Sequence, residues 1–305
     1  MNTQSEAMAP LEANVTVPVV IPASRRLYWS VRRELWENRA IYIAPLAVAA
    51  LFLVGFLISA IHPPAQMRDA MALDPMRHQE LVEQPYTFAA FFLMGISFIV
   101  AVFYCLDALY GERRDRSILF WKSLPVSDLT TVLAKASIPI LILPLITFAI
   151  TIVTQWIMLL LSSAVLLARG QSVATLWSHL PLFQMSLMLL FHLVAIHGLQ
   201  FAPIYCWMLL VSGWARRAPL LWAVLPPLTI GVAEKIAFNT AHFAALMNYL
   251  FGGGPEITTG KMAMAPLTPI AVGQFLINPG LWIGLVVAAA LLAAAVRLRR
   301  YREPI

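Results

Sequence analysis

Nucleotide hydrolysis on a P-loop needs a glycine-rich turn ending in Lys-Ser/Thr, so that backbone N–H groups cradle phosphate and the hydroxyl holds Mg2+. The nearest text in this chain is Gly260-Lys261-Met262, which lacks both the hydroxyl and the upstream glycine, while Gly252-Gly253-Gly254-Pro255 precedes no suitable helix. Two imidazoles that share a ligand face on a helix sit three or four residues apart. His192 and His197 are five apart, about 140° around a helix, and read as separate packing or pore-lining residues. Cys105 and Cys206 both lie in apolar runs and read as small buried residues, not as a disulfide framework. No Ser/His/Asp order stands out among the apolar segments. The side chains therefore point away from an enzyme and from a resident metal or cofactor.

The polar text that does stand out is Tyr110 to Ser127, set between the apolar runs Phe88–Ala108 and Ala136–Ser162. It carries Glu112, Arg113, Arg114, Asp115 and Arg116, then Ile118, Leu119, Phe120 and Trp121, then Lys122. A charged side chain at the centre of a bilayer costs roughly 2.5–3.5 kcal/mol even on the lenient insertion scale, so the stretch belongs outside the hydrocarbon. Its apolar cluster and the stop at Pro125 predict a short ordered helix. A short helix that is both charged and apolar suits docking to another protein.

The elements around it follow from composition. The chain has 305 residues, 60% hydrophobic and 12% charged, with a mean hydropathy of +0.78; about 25% charged is usual in a soluble domain. Several runs approach the roughly 20 apolar residues that cross ~30 Å of hydrocarbon. The expected fold is all-α and polytopic, with spans near 41–61, 88–109, 136–162, 182–211, 220–236 and 279–296. The net charge of +6 is divided among short loops and gives no reason to expect nucleic acid. Residues 1–23 read as a mobile arm, because Pro18 and Pro22 interrupt the apolar text and no basic region precedes it.

Residues 24–39 read as an amphipathic elbow helix. Leu27, Val31 and Leu35 share one face, with Arg25, Arg26, Arg32, Arg33 and Arg39 opposite and Trp29 and Trp36 among the arginines. Such a helix lies at lipid headgroups, which makes membrane lipid an expected partner. A polar loop is expected from His62 to Pro85. Ser127 or Asp128 is placed to cap the third long helix, whose first two turns should project beyond the hydrocarbon, and Pro139 and Pro144 are placed to kink it. Asp107 reads as interfacial, and Gln155, Gln184, Gln200 and Asn239 as interhelical hydrogen-bonding groups.

Lys and Arg orient the spans. With the amino terminus inside, five fall before Ile41, five between Arg113 and Lys135, two at Arg216–Arg217 and four in the tail from Arg297 to Arg302; only Arg68, Arg77, Arg169, Lys235 and Lys261 fall outside. The bias predicts both termini in the cytosol. Glu234 and Lys235 come fourteen and fifteen residues after Leu220, about 21 Å along a helix, still within a ~30 Å slab. Either the bilayer thins or Lys235 snorkels and pairs with Glu234, or the helix breaks there and Ala237–Phe251 re-enters, with Glu234, Lys235 and Asn239 along a transport path.

The block Glu112-Arg113, Leu119, Leu124-Pro125 and Ser127 between spans two and three, with the basic elbow before and Asn278-Pro279-Gly280-Leu281-Trp282 after, resembles the membrane subunit of a type-2 ABC transporter, the permease family of many bacterial exporters. The resemblance covers nearly the whole chain. It implies an ATP-driven exporter in the bacterial inner membrane, built as a homo- or heterodimer of six-span permeases on separate ATP-binding subunits that carry ATP and Mg2+. It also implies that Glu112, Arg113, Arg114, Arg116, Ile118, Leu119, Phe120, Trp121 and Lys122 form the coupling helix that meets the ATPase. A polytopic membrane enzyme or assembly protein is the other class, and it should gather acidic or His residues at one interface, which this sequence does not do.

Overall fold

A computed structural model describes residues 22–61, 75–123, 126–170, 172–251, 273 and 275–301. The amino-terminal arm as far as residue 21, Arg68, Leu124-Pro125, the glycine run, Lys261 and Arg302 lie outside the described residues. Among those described there is helix and no strand.

The chain opens with α1 (Ala23–Glu37), passes Asn38-Arg39 and enters α2 (Ala40–Ile61). α3 (Pro75–Ala108) leads to two short helices, α4 (Tyr110–Arg114) and α5 (Ile118–Ser123). α6 (Asp128–Ser137) continues through a π turn at Ile138–Ile142 into α7 (Leu143–Ala168). After α8 (Ala174–His179), α9 (Leu182–Phe191) continues through a second π segment, His192–Gln200, into α10 (Ala202–Trp214). α11 (Pro219–Phe238), α12 (His242–Phe251) and α13 (Pro279–Tyr301) complete the order. Six stretches are long and apolar enough to cross a membrane: Ala40–Ile61, Val82–Arg114, Asp128–Ala168, Leu182–Gln200, Pro219–Phe238 and Pro279–Tyr301.

The polar loop expected up to Pro85 is shorter than its charge suggested, because α3 starts at Pro75 and carries Pro85 inside it. Proline fits the first helical position, and Gln79, Glu80, Leu81, Glu83 and Gln84 are good helix formers whatever their solvation. α6 begins as expected: the Ser127 hydroxyl accepts the Thr130 N–H at 3.2 Å, filling one of the orphan donors of the first turn. Pro139 sits in the first π turn, where the ladder widens around its missing N–H.

Long-range bonds fix which ends meet. At one end, α1 packs on α6, and Val31 and Leu35 lie against the core of Ile41, Tyr104, Cys105, Ala136 and Tyr205. At the other, the Arg169 guanidinium donates to the Ala60 and Ile61 carbonyls at 3.1 and 2.8 Å, satisfying the open carboxyl end of α2. The Gln155 amide donates to the Tyr86 carbonyl at 3.3 Å, an interhelical bond between α7 and α3. Cys105 and Cys206 are both buried free thiols.

Midway, the two π segments touch. A Cβ on Gly198 would stand 2.6 Å from the Ile140 carbonyl oxygen, so only glycine permits this approach of one backbone to the other. A buried polar cluster lies beside the contact: Thr147 donates to Ser97 Oγ at 2.9 Å, and His197 Nε2 stands 3.3 Å from the Tyr205 hydroxyl and 3.5 Å from Ser97 Oγ.

Candidate functional site

Five segments remote in sequence converge at the end that carries α1, and charge holds them together. Glu34, wholly buried on α1, accepts from Lys135 Nζ at 2.9 and 3.1 Å, from the Tyr104 hydroxyl at 2.9 Å and from Arg33 Nη2 at 2.6 Å. Lys135, buried on α6, also stands 3.2 Å from Glu112 Oε1. Glu112 pairs through its other oxygen with Arg299 of α13, and Arg299 Nε reaches Asp128 Oδ1 at 3.1 Å. Glu34, Glu112 and Asp128 face three cations, Arg33, Lys135 and Arg299, and the half-exposed Glu37 adds a fourth carboxylate at Arg33, so the inner part of the cluster is balanced. That balance is what makes so much buried charge tolerable. Burial pushes the Glu34 carboxyl up, but Lys135 and Arg33 outweigh it and hold it below the ordinary carboxylate range.

Arg113 turns inward as well, donating to the Gly213 and Ala215 carbonyls at 2.9 and 3.1 Å. It caps the carboxyl end of α10, where a cation also meets the negative pole of the helix. The Ser212 hydroxyl accepts the Leu109 and Tyr110 N–H groups at 3.0 and 2.8 Å, filling the break between α3 and α4. Arg116 turns the chain with a φ of 58°, an uncommon conformation for a side chain with a Cβ. α5 then runs across this end: Ile118 is buried, the Arg33 guanidinium lies 4.0 Å over the Trp121 ring, and Lys122 Nζ donates to the Arg300 carbonyl at 3.4 Å.

The expected docking residues therefore separate. Glu112, Arg113 and Ile118 face the interior, and Trp121 is half covered by the elbow. Leu119 and Phe120, 59% and 60% exposed, point outward with Arg114, Arg116 and Lys122. On α1, Arg33 belongs to the inward network, not with the outer arginines. Trp29, Trp36, Arg25 and Arg39 are exposed, Arg26 is half-buried, and Arg32 lies between the two indoles at 5.1 and 4.8 Å.

Glu234, Lys235 and Asn239 form a different feature. α11 ends at Phe238, Asn239 takes the left-handed C-cap conformation, and α12 begins at His242. The Glu234 carboxylate accepts from Thr240 Oγ1 at 2.7 Å and from the N–H groups of His242 and Phe243 at 2.6 and 2.8 Å. It caps the positive end of α12 across the turn. Lys235 is exposed in the last turn of α11 and forms no ion pair with Glu234 among the described residues. No group of three or more metal-binding side chains occurs among the described residues.

The sequence alone does not single out Glu34, Ser97, Thr147, Tyr205 and Ser212, and in it Arg299 stands out only as a charge and Lys135 as a charge near the start of the third long helix. Nothing local marks them, because their partners stand far along the chain. Comparison of the chain with family models, with curated proteins and with solved structures finds no match.

Proposed function

We propose that this chain is the membrane subunit of an ATP-driven transporter of the type-2 ABC class, acting as an exporter in a bacterial inner membrane with both termini in the cytosol. The observation that carries the reading is α5. It is a six-residue helix that presents Leu119 and Phe120 to solvent while Ile118 is buried, Trp121 lies under Arg33 of the elbow and Lys122 reaches the Arg300 carbonyl; the buried ion pairs of Glu112 hold the preceding helix, α4, to α6 and α13. An exposed aromatic side chain on a rigid base is the usual energetic centre of a docking surface. These contacts support a coupling role, since displacement of α5 would be carried to α1 and α13 directly and to α6 through α4.

On this reading the ATP-binding subunit is a separate chain, and a second permease, identical or related, completes the path. The turn at Glu234 and the short helix α12 fit an outer hairpin re-entering the membrane between the fifth and sixth spans. The test is to replace Leu119 and Phe120 by Ala in the full chain and measure partner binding and transport. Binding of an ATP-binding subunit should weaken by tenfold or more, with the purified chain still folded. Trp121 is left in place, because it also packs under Arg33 and its loss would disturb the elbow.

A further inference from the structure

The outer face of α1 is what remains after the protein has used the other one. Ser30 and Glu34 are buried, and Val31 and Leu35 pack on the core while Leu27 near the start of the helix stays exposed, so most of the apolar side of this helix is already occupied by protein. The side turned away carries Arg25, Trp29, Arg32 and Trp36, which repeat at helical spacing, and Arg39 follows exposed in the turn after the helix. We propose that this face is a binding site for anionic phospholipid, with Arg32 as the ligand of the headgroup phosphate and Arg25 and Arg39 flanking it. The proposal rests on the chain being embedded in a membrane, but not on its coupling to an ATPase.

Three observations select that occupant. Only Asn38 and Arg39 separate α1 from α2, an apolar helix of 22 residues long enough to cross a membrane, so in a membrane the carboxyl end of α1 meets the hydrocarbon edge. Tryptophan is enriched at that depth, where an apolar ring meets a wet one-sided surface; Trp29 and Trp36 are 50% and 66% exposed. Charge gives the selectivity. The Arg32 guanidinium lies over both indoles, 5.1 and 4.8 Å from the Trp29 and Trp36 ring centroids, is partly exposed, and pairs with no carboxylate among the described residues. A planar guanidinium held against aromatic rings suits bidentate bonding to phosphate. The two acids of the helix, Glu34 and Glu37, are both turned to Arg33, at 2.6 and 3.7 Å.

The test uses the full chain in vesicles of phosphatidylcholine that contain photo-crosslinkable phosphatidylglycerol or photo-crosslinkable phosphatidylcholine at equal amount, with the adduct on α1 peptides quantified. A basic residue near an anionic surface contributes about 1 kcal/mol, roughly fivefold in occupancy. The wild-type chain should favour the anionic probe severalfold. Arg32→Gln should reduce that preference by up to about fivefold, and joint Trp29→Leu and Trp36→Leu should also reduce it although no charge is removed. Arg25→Gln with Arg39→Gln, at exposed positions that leave the fold intact, should lower it independently. Lys235→Gln, on another element, should leave it unchanged. Equal labelling by both probes in the wild type, or a preference that survives Arg32→Gln and the Arg25/Arg39 pair, would overturn the proposal. Loss of the adduct in inorganic phosphate but not in sodium chloride of equal ionic strength would also overturn it, because the site would then take a free anion and not a lipid.

Discussion

Lys135 stands 2.9 Å from one buried carboxylate and 3.2 Å from another, so its removal leaves Glu34 and Glu112 short of a shared counterion. Breaking a buried pair from one side costs about 3–5 kcal/mol. Lys135→Met should therefore lower the thermal unfolding midpoint of the detergent-purified protein far more than Lys122→Met, whose exposed ammonium reaches only a carbonyl. If the two variants unfold together, the network does not hold this end of the molecule. The same carboxylate sets a pH limit. Glu34 titrates below its ordinary value near 4.5, so its stabilising contribution is complete at neutral pH and is lost as pH falls through the lower, folded value. Unfolding midpoints should be flat from neutral pH to about 5 and then drop below the ordinary Glu value, and Glu34→Gln should flatten that drop. Little of this was legible in the sequence. Glu34 reads as one acid inside an arginine-rich helix, with no basic residue three or four positions away; the decisive Lys135 stands about a hundred positions later.

Element-scale features were legible where a period or a breaker marks them. Hydropathy marks the six long apolar stretches because ~20 such residues have few other solutions, and Ser127 announces its cap directly. The beginning of α3 was hidden because charged residues suit a loop and an extended helix equally. The contact between the π segments was hidden because it depends on Gly198 facing Ile140 across two helices. That contact makes a clean comparison. A methyl at Gly198 meets backbone at 2.6 Å, whereas a methyl at Gly55 meets nothing within 4 Å. Gly198→Ala should destabilise by about 1–3 kcal/mol and Gly55→Ala should be neutral or slightly stabilising, as read by unfolding in denaturant; equal effects would remove the close approach. The hairpin makes a second comparison. Glu234→Ala deprives three donors of their acceptor and should speed amide hydrogen exchange in His242–Phe251 while leaving α6 and α7 unchanged. A transport defect in that variant without faster exchange would give Glu234 a role beyond the cap.

At the scale of the whole molecule, one end gathers the elbow, the short helices α4 and α5, the start of α6, the end of α10 and the end of α13. The basic residues assigned to one side of the membrane by charge bias include Arg33, Arg113, Lys135 and Arg299, and the structure brings these four to that end. The outward residues of α5 are few, which makes the transporter reading easy to challenge. The most direct measurement is ATP hydrolysis by the full chain purified through an affinity tag from its native membrane, compared with the Leu119→Ala, Phe120→Ala variant at equal amounts of folded protein. The account predicts that the wild type brings down a stoichiometric ATP-binding subunit with measurable hydrolysis, and that the variant loses both by tenfold or more. A wild-type preparation that is folded, carries no ATP-binding subunit and hydrolyses no ATP, or a variant that retains full partner binding and activity, would contradict it.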